Sequence, residues 1–163
     1  MKKQWVLAGI LASALGVSDA LAQHQTPNQQ PNTATAPTAP NGDVALGKVH
    51  LPKAVTADGK PLPAGNYDLK LTAQAAKPQA VGTSETLERW VEFTQGGSVK
   101  GREVVSIVPQ AEIKMVVKDA PPAAGASKVQ VLKGNEYVRV WINKAGNHYL
   151  IHLPAAAGGT NGL

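Results

Sequence analysis

Residues 137–153, YVRVWINKAGNHYLIHL, form two stretches in which apolar and polar side chains alternate, separated by a break at residues 144–147. Alternation with a period of two places the apolar side chains on one face of a β-strand. The break contains glycine and asparagine, which favour turns. The stretch therefore predicts a β-hairpin with strands at 137–143 and 148–153.

Two registers are open to this hairpin, and they differ in which side chains share a face. Pairing Asn143 with Asn147 places His148 and His152 in the aliphatic layer of the first strand. Pairing Asn143 with His148 instead gives a coherent apolar face, which consists of Val138, Val140, Ile142, Tyr149, Ile151 and Leu153. Register is strongly specified where one face is buried. We therefore predict the second pairing, with a four-residue loop at 144–147.

The same alternation continues through the preceding hundred or so residues, interrupted by Gly, Pro and Asn. It predicts further strands at 47–54, 67–75, 89–94, 99–108, 112–118 and 128–132. A helix capped at Ser84 is an alternative for residues 84–93, but the Gly96-Gly97 turn that follows favours a hairpin. Seven or eight short strands at this spacing predict an all-β domain at 44–154. Its architecture is a single small β-sandwich or open barrel of mostly antiparallel strands.

Residues 60–71, KPLPAGNYDLKL, combine a proline-rich turn with the start of an alternating strand. Pro63 fixes the backbone φ and Gly65 permits a tight bend. The segment resembles the L-P-x-G-x-Y strand opening of prealbumin-like and carboxypeptidase-regulatory-like sandwich domains of uncharacterised exported bacterial proteins. The resemblance implies that Tyr67 packs at the mouth of a sandwich and that the protein is exported. It implies no activity.

The chain begins with the pattern of a secretory signal peptide. Lys2 and Lys3 precede an apolar run at 5–17, which is shorter than the roughly 20 residues that a membrane-spanning helix needs. Ala20-Leu21-Ala22 supplies the small-x-small cleavage site, so we expect a signal peptide at 1–22 and a mature protein that begins at Gln23. We expect no transmembrane segment after cleavage. The sequence has no cysteine, so lipidation at a cysteine and disulfides are excluded, and a bacterial periplasmic or extracellular location is expected.

Two further segments have the composition of flexible chain. Residues 23–43 are rich in Pro, Thr, Gln and Asn, and they predict a disordered linker. Residues 155–163 predict a flexible tail. The formal net charge is +5, but the lysines from Lys48 to Lys144 are spread singly, so no nucleic-acid partner is expected. The charge favours solubility, with weak attraction to an anionic envelope surface as the alternative.

No catalytic or metal-binding motif is complete. Lys100 stands where a Gly-x-Ser-x-Gly elbow around Ser98 needs its second glycine. His148 and His152 have the spacing of a helical zinc pair, but four steps along a strand separate them by about 13 Å. We therefore expect no metal and no cofactor. The glutamates at 85, 88, 92, 103 and 112 alternate with apolar residues and are expected to face solvent.

The second face of the last hairpin carries the candidate ligand-binding residues, which are Tyr137, Arg139, Trp141, His148 and His152. Aromatic rings beside a guanidinium and imidazoles favour cation–π contacts and planar ligands. A neighbouring strand or loop that covers these rings is the alternative. The sequence predicts a non-enzymatic binding or envelope accessory module for an unknown protein or envelope ligand. The alternative is a small secreted hydrolase or carbohydrate-active enzyme with a site built from loops.

Overall fold

The computed structural model describes residues 39–76 and 87–156, and almost all of their regular structure is β-strand. The elements in chain order are β1 (Val44–Leu51), β2 (Val55–Ala57), β3 (Lys60–Leu62), β4 (Gly65–Ala75), β5 (Glu88–Gln95), β6 (Ser98–Pro109), α1 (Ile113–Val116), β7 (Ser127–Val131), β8 (Tyr137–Lys144) and β9 (Asn147–Pro154). The predicted all-β class is confirmed. In these ranges no helix is long and apolar enough to cross a membrane.

Seven strands form one antiparallel sheet in the order β1-β4-β5-β6-β9-β8-β7. The sheet curls until its two edge strands, β1 and β7, lie beside each other, so it is an almost closed barrel. Of the two predicted architectures, the open barrel is therefore the one that forms. The remaining strands, β2 and β3, pair as a separate two-stranded hairpin.

Alternate residues of the sheet point into the barrel, as the period-two pattern predicts. The interior is lined mainly by Leu69, Leu71, Val91, Phe93, Val105, Ile107, Val138, Val140, Ile142, Tyr149, Ile151 and Leu153. Tyr67 packs edge-to-face on Phe93 at 6.1 Å between ring centroids, and its hydroxyl donates to the Pro63 carbonyl at 2.8 Å. Burial of these side chains is the main force that stabilises the barrel.

The β2–β3 hairpin closes one end of the barrel. It connects the end of β1 to the start of β4 and packs against the start of β6 and the end of β9. Its apolar residues Val55, Ala57 and Leu62 are fully buried in the core. The fit is close at Gly101, where an added Cβ would lie 3.2 Å from the Ala57 Cβ.

The predicted register of the last hairpin is confirmed, because Asn143 pairs with His148 across β8 and β9. The predicted four-residue loop is wrong, since Lys144 and Asn147 also pair in the same register. The turn consists of Ala145 (φ 51°) and Gly146 (φ 77°). Positive φ at both positions is typical of the two-residue type I′ turn, whose twist matches that of the flanking strands. Pairing continues into the turn because alanine here adopts the left-handed conformation.

The predicted strand at 112–118 is wrong, and α1 takes its place. Ile113 and Val117, four residues apart, lie on the same side of the helical turn and are buried, while Met115 and Val116 are exposed. A strand here could not pair with the preceding β6, because β6 already pairs with β5 on one side and with β9 on the other. Packing of two apolar side chains four residues apart therefore decides the local structure.

The folded domain includes the end of the segment predicted as a linker. Ala39 is buried in the core, and the Asp43 carboxylate accepts the backbone N–H of Ala73 at 2.8 Å. At the other end, the Ala155 N–H donates to the Glu136 carbonyl at 2.7 Å. The predicted signal peptide at 1–22, residues 23–38 of the predicted linker and residues 157–163 of the predicted tail lie outside the described residues.

Candidate functional site

The structure places all five candidate residues on the outer face of the β8–β9 hairpin but exposes only part of the set. Trp141 and His148 are fully buried, and Arg139 is 8% exposed. Tyr137 and His152 remain exposed. The alternative in which a loop covers the rings is therefore the one that the structure adopts. The ligand-binding role of the set stays a prediction, and only Tyr137 and His152 are open to a partner.

The covering segment is the β6–β7 connection, residues 110–126, which we call the strap. At the start of the strap, the Gln110 N–H donates a hydrogen bond to the Gly146 carbonyl at 3.0 Å. Near its end, Asn143 bonds through its side-chain amide to the Pro122 carbonyl at 2.9 Å and through its carbonyl to the Gly125 N–H at 2.8 Å. Between these ends the strap buries an apolar cluster on the outside of the barrel. The cluster consists of Val108, Ile113, Val117, Trp141 and Leu150.

Trp141 and His148 form a buried polar pair under the strap. The indole Nε1–H donates to the imidazole Nδ1 at 3.0 Å, and the rings meet edge-to-face with centroids 5.7 Å apart. Nδ1 must therefore be unprotonated, so the neutral ring carries its proton on Nε2. Nε2 is buried and has no hydrogen-bond partner among the described residues. Burial lowers the pKa of His148 below its ordinary value.

Arg139 holds the strap to the barrel. Its Nη2 donates to the Asp119 carboxylate of the strap and, at 2.9 Å, to the Gln130 side-chain oxygen of β7. Its guanidinium carbon lies 5.4 Å from the centre of the Trp141 ring. The neighbouring His152 has a lowered pKa, mainly because its ring is desolvated and also because Arg139 is positively charged. The guanidinium of Arg139, which the sequence analysis predicts to bind a ligand, thus binds side chains of the protein itself.

A concave site that the sequence analysis missed lies where the tip of the β2–β3 hairpin meets the start of β6. We call it the hairpin cleft. It encloses about 110 Å³ and is lined by Asp58, Lys60, Val99, Lys100, Gly101 and Arg102. Asp58 (φ 46°) and Gly59 (φ 75°) form the tight turn of the hairpin. In the β5–β6 ladder Phe93 pairs with Gly101 and Thr94 with Val99, so Lys100 is the extra residue of a β-bulge.

Arg102 is held in place in the hairpin cleft. Its Nε donates to the Asp58 carboxylate at 2.9 Å, and its guanidinium lies 4.2 Å from the centre of the Trp90 ring. Glu103 fixes the turn from behind, because its carboxylate accepts the Asp58 N–H at 2.9 Å. The predicted solvent-facing role of Glu103 is therefore wrong: it is half-buried on the inner side of β6, where a backbone donor satisfies its charge.

Lys60 and Lys100 give the hairpin cleft its charge. Both are exposed, and in the described ranges neither lies within 4.0 Å of a carboxylate oxygen. Asp58 is the one acid among the cleft-lining residues, and it pairs with Arg102. The cleft therefore keeps two positive charges without partners in the described chain. Its two halves are about 40 residues apart in sequence. The sequence shows a turn in each half, at Asp58-Gly59 and at Gly96-Gly97, but it does not show that the two turns meet.

The described residues contain no group of three or more His, Asp or Glu side chains placed to hold a metal ion. His50 hydrogen-bonds to Asn66 and His148 to Trp141, so neither of these bonds joins a histidine to a serine or a carboxylate. Comparison of the chain with protein-family models, curated proteins and solved structures found no match. The resemblance to prealbumin-like domains therefore stays a prediction.

Proposed function

We propose that this protein is an exported, non-enzymatic binding module that takes the anionic groups of its ligand into the hairpin cleft. The signal-peptide pattern of residues 1–22 supports export to the periplasm or beyond. The observation that carries the binding proposal is the pair of lysines, Lys60 and Lys100, which have no acidic partner among the described residues. They lie beside an arginine held by Asp58 and Trp90.

The chemistry of the cleft favours phosphate or carboxylate. Lysine ammonium groups attract such anions as point charges, and arginine adds planar donors. Because Arg102 is already held by two partners, it loses little conformational freedom when a ligand arrives. The hairpin that carries Asp58 and Lys60 is packed into the barrel core through Ala57 and Leu62. A preorganised site of this kind binds without a conformational change.

The exposure of the site limits the strength of each contact. Exposed ion pairs contribute about 1 kcal/mol or less each. A single small anion therefore binds weakly, whereas a ligand with several linked anionic groups gains from each of them. A ligand that carries a series of phosphate or carboxylate groups is the class that fits this cleft.

The test is an NMR titration of the protein with tripolyphosphate and, separately, with orthophosphate. We expect amide shifts at 58–60 and 99–102, tighter binding of tripolyphosphate, and weakening as salt is added. Lys60→Gln with Lys100→Gln is expected to weaken binding about tenfold. The matched control is Lys114→Gln with Lys118→Gln, which removes the same charge from the strap. Equal weakening by both pairs, or shifts spread evenly over the surface, would contradict a site at the cleft.

A further inference from the structure

The strap presents an apolar tip to solvent. The side chains of Met115 and Val116 are 79% and 57% exposed, on the side of α1 that faces away from the barrel. Lys114 and Lys118 flank them and are also exposed. We call these four residues the strap tip. Two exposed apolar side chains between two lysines are a feature that a folded surface does not need for its own stability.

The strap tip stands on a fixed base. Ile113 precedes the tip and Val117 lies between Val116 and Lys118, and both are buried in one cluster with Trp141 and Leu150. Asp119, the acid that follows Lys118, is engaged by Arg139 and does not pair with either lysine of the tip. In the described ranges Lys114 and Lys118 have no carboxylate partner at ion-pair distance. The tip therefore offers positive charge and apolar surface together, on a segment that the buried Ile113 and Val117 anchor.

The size of the strap tip decides what kind of partner it fits. A stable protein–protein interface buries roughly 800 Å² on each partner, far more than two apolar side chains supply. A lipid surface has no such requirement, because a few apolar side chains can enter the headgroup region while nearby lysines attract anionic lipids. The net positive charge of the chain also attracts the protein to anionic lipids.

We propose that the strap tip docks the protein on an anionic lipid surface, with Met115 and Val116 inserted among the headgroups and Lys114 and Lys118 on the lipid phosphates. This docking is separate from the hairpin cleft and does not depend on its ligand. It fits a module that is attached peripherally to a membrane and binds a second ligand elsewhere on the barrel.

Sedimentation with vesicles tests the proposal, using phosphatidylglycerol mixed with phosphatidylcholine and phosphatidylcholine alone. We expect binding to the anionic vesicles only, weakened by salt. Lys114→Gln with Lys118→Gln is expected to weaken it about 25-fold, since each basic residue at an anionic surface contributes about fivefold. Met115→Ser with Val116→Ser is expected to weaken it about tenfold or more.

Two controls separate this docking from general charge and general hydrophobicity. Lys60→Gln with Lys100→Gln removes the same charge from the hairpin cleft, and Val99→Ser removes another exposed valine, 54% accessible. Both are expected to keep vesicle binding within about threefold of the unmodified protein. If the controls weaken binding as much as the tip variants, attraction is non-specific and the proposal fails while the cleft proposal stands.

Fluorescence gives a second measurement that does not depend on affinity. Met115→Trp is expected to show blue-shifted emission and quenching by brominated lipids on anionic vesicles, because its side chain enters the bilayer interface. Val99→Trp is expected to show neither. Binding without a spectral change at position 115 would overturn the insertion of the tip.

Discussion

Acidification should weaken the fold through His148. The ring is fully buried, its Nδ1 accepts the Trp141 indole N–H, and burial lowers its pKa. A histidine with a lowered pKa in the folded state binds fewer protons there than in the unfolded chain. Its stabilising effect is therefore complete above its ordinary pKa of 6.5 and is lost as the pH falls below that value.

The size of the effect follows from proton linkage. While only the unfolded chain takes up the proton, the free energy of unfolding falls by about 1.4 kcal/mol per pH unit. Between about pH 6.5 and about pH 5 the loss therefore reaches at most about 2 kcal/mol, a large part of the stability of a small domain. Protonation also abolishes the acceptor at Nδ1, so the Trp141 N–H loses its partner under the strap.

The shifted pKa values of His152 and Glu88 also contribute to the pH dependence of stability. The lowered pKa of His152, which arises from desolvation and from Arg139, acts in the same direction. Burial raises the pKa of Glu88, and a carboxyl with a raised pKa stabilises the fold as the pH falls. A comparison of variants is therefore needed to isolate His148.

The assay is urea unfolding followed by far-UV circular dichroism across this pH range, for the unmodified protein and for His148→Gln. Glutamine offers an oxygen to the Trp141 indole but does not titrate, so we expect a flatter pH dependence even if absolute stability changes. His50→Gln, at an exposed histidine bonded to Asn66, is the control and should leave the slope unchanged. Identical slopes for the unmodified protein and His148→Gln would refute the reasoning.

Four substitutions test the packing. Trp141→Ala should lower the free energy of unfolding by about 3 kcal/mol or more, because it empties the space under the strap and leaves His148 unpaired; a neutral effect in urea melts would mean that the strap does not cover it. Val140→Ala, inside the barrel, should cost about 2 kcal/mol by the same assay, and no loss would contradict the register. Gly101→Val should cost about 1–3 kcal/mol because its side chain meets Ala57, and adding Ala57→Gly should restore part of that loss; no recovery would place the strain elsewhere.

The sequence by itself determined the two strands of the last hairpin and their register. Both depend on local patterning: alternation assigns side chains to faces, and only the pairing of Asn143 with His148 keeps the aliphatic residues together. The Gly96-Gly97 turn between β5 and β6 was predictable for the same reason, since positive φ at both residues is natural to glycine. The turn at Ala145-Gly146 was not, because alanine rarely adopts that conformation.

Only the tertiary structure decided what covers each face and which distant segments meet. The outward-facing apolar residues Val108, Trp141 and Leu150 indicate that another segment covers them. The spacing of Ile113 and Val117 is compatible with a helical turn. Neither pattern shows that these two sets of residues pack against each other. The hairpin cleft joins segments about 40 residues apart, and their meeting depends on the packing of the β2–β3 hairpin against Gly101. Hydrophobic burial is non-directional, so a sequence pattern shows which side chains need cover, while chain geometry in three dimensions selects the segment that provides it.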